Sequence, residues 1–296
     1  MSTKNLTLFA DTDCDITPEA ADKLGYKLIS MPYLMDEEEV FPYESFEKFD
    51  AHAFYEKLRK GSMPKTSGLS PEKYISYFEP ELERGNDVLY AHFSAKLSGT
   101  FNSMNLAIQA LKEKYPDRTI YTLDTKAITG LAYTILIDIS RLYKEGKSAE
   151  EIISYVNDDS IKHNAMMAFA DDLKFFRRSG RVSGLSASLG SFLNIKPLIS
   201  IDDEGKMGAI GKAQGRKGAL KAIFKAMNKL GDDVKSHPII IVHSDIDELV
   251  NILVEKIKAE YGDDLDLQVL AINPTAGVHC GPDCLGVIFH STGREL

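Results

Sequence analysis

Two short segments rich in hydroxyl side chains form the first candidate ligand site. HFSAKLSGTFNS covers residues 92–103, where a strand is predicted to end and a helix to begin, and GSMPKTSGLSP covers the loop 61–71. Free N–H groups and the positive dipole end of a helix N-terminus favour an anion. We expect no basic residue beyond Lys96 beside these hydroxyls, which suits a carboxylate better than a multiply charged phosphate. The candidate residues are Thr66, Ser67, Ser94, Ser98 and Gly99.

A purely structural interpretation of the same residues stays open. Serine and threonine are strongly preferred as helix N-caps and in turns, so Ser98 alone is explained as a cap, and Thr66 and Ser67 as turn formers.

A second candidate site lies near the end of the chain, in NPTAGVHCGPDCLGV (273–287). Its glycines and prolines predict a loop between two strands, which would hold His279 in one place. Cys280 and Cys284 raise the possibility of zinc. One histidine and one cysteine pair supply three ligands and lack a matching second pair, so we expect no metal site. The default interpretation of His279 is a surface or structural histidine.

The segment DTDCDIT (11–17) follows the predicted strand LTLFA and offers an enzymatic alternative. A calcium loop is excluded because Ile16 stands where the turn requires glycine. A phosphatase-like motif would use Asp13 as nucleophile and Asp15 as acid/base, although the strand ends two residues before Asp13. The competing interpretation is that Asp11 and Asp15 cap the first turn through side-chain hydrogen bonds.

Several arginines are concentrated in two segments of an otherwise acidic chain. FFRRSGRVSG (175–184) contributes Arg177, Arg178 and Arg181, and KAQGR contributes Arg216. A solvated charged face is one explanation, and a docking patch for a protein partner is the other.

Composition excludes several classes of function. The 296 residues carry a formal net charge of −9, which argues against nucleic-acid binding because affinity for phosphate backbones comes from clustered lysine and arginine. The apolar runs are far shorter than a membrane span, and no signal peptide opens the sequence. The odd number of cysteines, three in 296 residues, argues against a disulfide framework. We therefore expect a cytoplasmic protein with no stable membrane insertion.

The elements that must position these residues follow from the hydrophobic pattern. Strands and helices alternate through the first half, which predicts a Rossmann-like parallel sheet. In the second half, DDEG (202–205) predicts a hairpin turn and hence a sheet that is partly antiparallel. We expect an α/β protein with a first domain at 1–160 and a second, α+β domain at 161–296. Helices are predicted near 18–25, where Gly25 ends the helix, and near 50–60, 71 onward, 98–114, 128–146, 172–178, 184–193, 215–230 and 246–260. The apolar run 26–35 is predicted to be one extended segment.

The motifs taken together resemble the DegV family, fatty-acid-binding proteins that present an acyl chain to a partner fatty acid kinase. The matching pieces run in order along the chain: DTDCD, PKTSGLSP, FSAKLSGTFNS, LDT, LKFFRRSGRVSG, LNIKPLIS, KAQGR and GVHCGPDCLGV. The sequence departs from the usual family pattern at Gly68-Leu69, at Asp283 and at the SGR segment, which bears on loop shape and acyl-chain preference.

The resemblance implies a DegV-like two-domain fold with a long-chain fatty acid between the domains and no cofactor. By motif position, the carboxylate would be held by Thr66, Ser98 and His279, with Ser67, Ser94 and Gly99 nearby. Arg178, Arg181 and Arg216 would face the kinase, with Arg177 a weaker candidate. The protein would then be a substrate subunit for acyl phosphate formation, serving phospholipid metabolism, and not itself an enzyme. A phosphatase or hydrolase using Asp13 and Asp15, and a pure protein-interaction module, are the alternatives.

Overall fold

The computed structural model describes residues 5–184 and 194–294, and all structural statements refer to these residues. The strands are β1 (Leu6–Asp11), β2 (Tyr26–Ile29), β3 (Tyr33–Met35), β4 (Glu38–Val40), β5 (Lys65–Thr66), β6 (Asp87–His92), β7 (Ile120–Asp124), β8 (Asn164–Phe169), β9 (Val182–Ser183), β10 (Ile195–Ile201), β11 (Met207–Gln214), β12 (Ile239–His243), β13 (Leu267–Ala271) and β14 (Leu285–His290).

Most helices within the same residues begin and end close to the predicted positions, but those at 149–155 and 161–163 were not predicted. The helices are α1 (Pro18–Leu24), α2 (Ala51–Arg59), α3 (Pro71–Glu83), α4 (Thr100–Lys114), α5 (Thr129–Lys144), α6 (Ala149–Tyr155), α7 (Ile161–His163), α8 (Lys174–Ser179), α9 (Gly215–Leu230), α10 (Asp247–Tyr261) and α11 (Pro274–Cys280). The helix expected at 184–193 falls almost entirely on residues 185–193, which lie outside the described residues.

The first half forms the predicted parallel sheet, in the order β2-β1-β6-β7. Parallel neighbours need crossover connections, and helices supply most of them here. The apolar run 26–35, expected as one extended segment, is instead divided between two sheets. Pro32, which has no backbone N–H to donate, lies between β2 and β3, and β3 pairs with β4 and β5 in a small antiparallel sheet.

The second half forms a seven-stranded mixed sheet in the order β13-β12-β14-β8-β10-β11-β9. Strands β10 and β11 are antiparallel, and the turn between them has Gly205 at φ +81°, which confirms the predicted hairpin. The α/β class with a parallel first sheet and a mixed second sheet is therefore confirmed.

Helix α5 joins the two sheets through one continuous apolar core. Its Leu131 and Ile135 are fully buried in the same cluster as Leu89 of β6 and Ile288 of β14. At Gly130 an added Cβ would lie 2.4 Å from Cγ1 of Val242, so the helix approaches β12 more closely than any larger residue permits. The predicted boundary at residue 160 lies where the chain passes from the first sheet to the second. That this position separates two domains stays a prediction.

The segment around His279 is helical, which corrects the prediction of a loop. Helix α11 begins after Asn273, whose side chain accepts a hydrogen bond from the N–H of Ala276 at 2.9 Å, and Pro274 occupies the first turn. The Asn-Pro pair is a typical helix start. Glycines and Pro282 in the segment favour a loop, but the Asn273-Pro274 start stabilises a helix instead.

Candidate ligand-binding site

A cavity of about 360 Å³ lies between the elements of the first half and the second sheet. Its walls are mostly apolar. Both halves of the chain contribute to them, with Phe93 and Ile128 on one side and Met166 and Ile199 on the other. The remaining apolar lining comprises Met31, Leu69, Leu97, Ala168, Phe169, Phe176, Met207, Val242, Ile272, Ala276, Cys280, Cys284 and Leu285. The volume falls within the range of small-molecule sites.

The polar mouth of this cavity consists of six residues that are at least partly exposed: Thr66, Ser67, Ser98, Gly99, Arg181 and His279. Thr66 lies on β5, which pairs with β3, and His279 lies in the last turn of α11. Oγ1 of Thr66 and Nε2 of His279 are 3.1 Å apart. The structure thus brings together three residues that the motifs placed in one site, Thr66, Ser98 and His279.

Ser98 and Gly99 lie directly before helix α4, where free N–H groups point out of the helix end. The N–H of Thr100 is 3.2 Å from Oγ of Ser98 and donates to it. A Cβ added at Gly99 would meet no atom within 4 Å, so packing within the protein does not require glycine there. The open space beside Gly99 is available to a ligand.

The imidazole of His279 is neutral at physiological pH. Burial, together with the positive charges of Arg181 and Arg178, lowers the pKa of His279 to about 4. Its Nδ1 is buried and has no hydrogen-bond partner among the described residues. A neutral imidazole has one N–H donor and one acceptor, so this ring offers a directed hydrogen bond and not a charge.

Two arginines lie at the polar mouth, so the expectation that no basic residue beyond Lys96 accompanies the hydroxyls is wrong. Arg181 lines the cavity and its Nε donates to the carbonyl of Leu97 at 3.3 Å. Arg178 donates through Nη2 to the carbonyl oxygens of Pro64, at 2.6 Å, and Val278, at 3.2 Å. Arg178 therefore ties the Thr66 loop to the His279 helix, while Arg181 places a cation beside the hydroxyls. Sequence spacing gave no signal for this, because the arginines belong to a distant segment.

Two of the predicted neighbours have other partners. Ser94 is fully buried and does not line the cavity. Its hydroxyl donates to the carbonyl of Gly205 at 2.8 Å. A Cβ added at Gly205 would lie 2.3 Å from Oγ of Ser94. Ser94 thus links the loop after β6 to the hairpin of the second sheet. Ser67 lines the cavity, but its hydroxyl donates to Glu39 at 2.7 Å.

Arg216 lies apart from the cavity lining. Its guanidinium donates twice to the carboxylate of Asp171, at 3.1 and 3.0 Å, and lies 3.8 Å from Asp283. Its side chain is 41% exposed, so a partner could still reach it.

The three aspartates at the end of β1 and in the turn after it are buried. Burial raises the pKa of both Asp11 and Asp15 to about 7. The pKa of Asp13 is raised by its burial and also by the negative charges of Asp11 and Asp15. The expected cap is confirmed for Asp11, which accepts from the N–H of Asp13 at 3.1 Å. It is wrong for Asp15, whose Oδ1 accepts from the backbone and side-chain nitrogens of Asn273, each at 2.8 Å.

No group of three or more metal-ligating side chains is found among the residues that the structure describes. Cys280 and Cys284 are free, buried thiols beside the cavity. Within the same ranges, no helix has the length and hydropathy needed to cross a bilayer.

Fold and cavity together define an α/β protein that encloses an apolar chamber with a hydroxyl, imidazole and guanidinium mouth. Residues 5–292 match the family model described as an uncharacterised protein of the DegV family. The chain is 33% identical to a DegV domain-containing protein of Clostridium perfringens, over 99% of both chains. It belongs to the DegV family.

Solved structures share the fold over almost the whole chain. A Thermus thermophilus DegV family protein, described by its fatty acid binding, has 26% identity and a TM-score of 0.84, with 97% of this chain and 99% of that chain covered. A fatty acid binding DegV of Bacillus subtilis, at 24% identity, has a TM-score of 0.81 over 97% and 99% of the two chains. Structural relatives of this chain thus bind fatty acids.

Proposed function

We propose that this protein binds a long-chain fatty acid in the cavity, with the carboxylate at the polar mouth and the acyl chain along the apolar walls. The observation that carries the proposal is the combination of an apolar chamber with a mouth in which Thr66 and His279 lie within hydrogen-bond distance. The fatty acid binding described for the Thermus thermophilus relative supports it.

The mouth suits a single carboxylate. Removing an ionised carboxylate from water is costly unless hydrogen bonds replace its solvent shell. The hydroxyls of Thr66 and Ser98 and the N–H of neutral His279 are donors for this purpose. Arg181, which lines the mouth, adds a positive charge without the cluster of cations that a phosphate would need.

The acyl chain would supply most of the affinity. Each buried methylene contributes up to about 0.8 kcal/mol, so roughly 15 methylenes offer on the order of 12 kcal/mol before the costs of association. The head-group contacts would mainly determine the position of the carboxylate.

The finer part of the proposal is that the bound acid is presented to a fatty acid kinase, which brings ATP and metal and forms the acyl phosphate. The protein would act in the cytoplasm as a substrate subunit, with no catalysis of its own. Arg178, Arg181 and Arg216 are the proposed docking residues. All three have partners within the chain: Arg178 and Arg181 donate to backbone carbonyl oxygens, and Arg216 pairs with Asp171.

The binding test compares a long-chain fatty acid with its methyl ester, using delipidated protein and isothermal titration calorimetry. The acid should bind with at least tenfold higher affinity, since a hydrogen bond to a charged group contributes about 1.5–3 kcal/mol. Equal affinities would refute the carboxylate site. No binding of either, together with no acid recovered by solvent extraction of freshly purified protein, would refute the proposed function.

Presentation is tested separately by adding a fatty acid kinase catalytic protein, ATP and magnesium to the loaded protein and trapping acyl phosphate with hydroxylamine. The hydroxamate should form only when this protein is present. Its absence despite bound acid would refute presentation and leave binding intact.

The phosphatase alternative is not favoured. Asp13 is buried, and burial and two neighbouring carboxyls raise its pKa, which disfavours the ionised form that a nucleophile requires.

A further inference from the structure

Asp13 is an acidic side chain in the lining of a mostly apolar chamber. It is 5% exposed, it lines the cavity, and its Oδ1 is buried with no hydrogen-bond partner among the described residues. Leaving a buried polar group unsatisfied costs about 1–3 kcal/mol. The fatty acid of the proposed function, if unsubstituted, would bring only methylenes to this position and leave the cost in place.

Asp13 is linked through Asp15 to the start of helix α11, whereas His279 of the polar mouth lies at the other end of that helix. Asp15, two residues on, is held at 2.8 Å by both nitrogens of Asn273, which caps the start of that helix. His279 lies in its last turn. The six residue-to-residue steps from Asn273 to His279 span about 9 Å at 1.5 Å per residue.

Two further polar residues line the cavity in this inner region. Thr129 begins α5 and Thr275 lies in the first turn of α11, and both are buried, whereas the residues of the mouth are partly exposed. The hydroxyl of Thr275 donates to the carbonyl of Met31 at 2.7 Å. We call Asp13, Thr129 and Thr275 the inner polar site.

The chemistry of Asp13 indicates what would satisfy it. Three carboxyls within five residues of a buried turn cannot all ionise, and burial favours the protonated form of each. A protonated carboxyl has one O–H donor and an acceptor oxygen. An alcohol also donates once and accepts, so a single hydroxyl can form both bonds with Asp13.

We propose that the inner polar site is a specificity site for a hydroxyl group carried part-way along the acyl chain, so that the preferred cargo is a mid-chain hydroxy fatty acid. The inference rests on the proposed function and narrows its substrate class. An extended chain advances about 3.5 Å for every three bonds, so a separation equal to the length of α11, about 9 Å, corresponds to roughly eight bonds. The hydroxyl would therefore lie near the eighth to tenth carbon.

The test measures the affinities of unsubstituted stearic acid and of its isomers hydroxylated at the third, tenth or last carbon, by calorimetry on delipidated full-length protein. The tenth-carbon isomer should bind roughly tenfold more tightly than stearic acid, the gain expected from satisfying a buried hydrogen-bonding group. The last-carbon isomer should bind more weakly than stearic acid, because its hydroxyl would enter apolar surroundings. The third-carbon isomer, whose hydroxyl would lie at the polar mouth and not near Asp13, should lack the tenfold gain.

The variants Asp13→Val and Asp13→Asn separate the role of the side chain from general effects on the cavity. Asp13→Val should reverse the preference, so that stearic acid binds more tightly than the tenth-carbon isomer. Asp13→Asn keeps a donor and an acceptor and should keep the preference. If a variant does not fold, the comparison of the four acids on the unaltered protein still tests whether the inner polar site prefers a mid-chain hydroxyl.

The outcomes distinguish the two proposals. If the unaltered protein binds stearic acid at least as tightly as every hydroxylated isomer, the hydroxyl site is refuted and fatty acid binding is not. A water molecule would then satisfy Asp13. No binding of any acid would refute the proposed function itself.

Discussion

Oγ1 of Thr66 lies 3.1 Å from Nε2 of His279, although the two residues are 213 positions apart in the sequence. Thr66 is held by strand β5 in the first half of the chain, and His279 by helix α11 in the second. The contact closes the mouth of the cavity across both halves.

A double-mutant cycle on this pair measures whether the two side chains act together on the ligand. Thr66→Val and His279→Gln should each weaken fatty acid binding about tenfold or more, because each removes or displaces a hydrogen bond to a charged group. The double variant should lose less than the product of the two, since the residues share one ligand group. Calorimetry with a long-chain acid provides the affinities.

Two controls accompany this cycle. Thr66→Ser keeps the hydroxyl and should retain most of the affinity, and Ser76→Ala removes an exposed hydroxyl on α3, away from the cavity lining. Full additivity of the two losses would contradict a shared contact with the carboxylate.

Arg178 and Arg216 should differ in what they affect. Arg178→Ala removes the bonds to the carbonyls of Pro64 and Val278 that hold the two sides of the mouth together, so acid binding should weaken severalfold and unfolding should become easier by about 1–2 kcal/mol. Arg216→Ala, which breaks the pair with Asp171, should leave acid binding unchanged and slow acyl phosphate formation by the kinase. Calorimetry, urea unfolding and hydroxamate trapping measure the three quantities. Weaker acid binding in Arg216→Ala would count against this assignment.

The Ser94–Gly205 contact should make the hairpin intolerant of larger residues. Gly205→Ala places a Cβ 2.3 Å from Oγ of Ser94 and 3.0 Å from Cα of Lys126, at a φ of +81°, and should lower the free energy of unfolding by about 2 kcal/mol or more. Ser94→Ala in the Gly205→Ala background removes the atom nearest to the new Cβ. The double variant should recover part of the lost free energy of unfolding, but not the part caused by the positive φ at residue 205. Urea denaturation of both variants tests this, and no recovery would mean that Lys126 or the backbone dominates.

The buried aspartates predict a stability that depends on pH. Burial raises the pKa of Asp11 and Asp15 from 3.8 to about 7, and that of Asp13 in the same direction. From about pH 4 to about pH 7 the folded chain therefore keeps protons that the unfolded chain has released, so the contribution of these groups to the free energy of unfolding falls as pH rises. Burial of His279, whose pKa is lowered to about 4, acts in the opposite direction between about pH 4 and pH 6.5.

Asp13→Asn isolates one of these groups. The variant should equal the unaltered protein in stability near pH 4 and become progressively more stable than it toward pH 7.5, because asparagine has no proton to lose. Urea denaturation at several pH values measures the difference. Asp22→Asn, at an exposed position on α1, controls for the loss of one negative charge. A difference that stays constant with pH would show that Asp13 is ionised in the folded protein.

The elements that carry the site were predictable because local patterns specify them. Ser70-Pro71 starts α3 and Gly25 ends α1, as capping preferences require. Asp-Asp-Glu-Gly forms the turn between β10 and β11. Two local predictions failed where competing signals were present, at the Asn273-Pro274 cap and at Pro32 within the run 26–35.

The sequence alone determined the class of fold, the order of its elements and which residue types were available to hold a carboxylate, because periodicity, caps and turns act over a few residues. Only the tertiary structure decided which of them meet. Ser94 contacts Gly205 and not the cavity, Arg181 lies beside Ser98 and Thr66, and Asp13 faces the chamber without a partner. These outcomes depend on the packing of α5 and α11 between two sheets, and such long-range contacts have no local signature from which spacing could predict them.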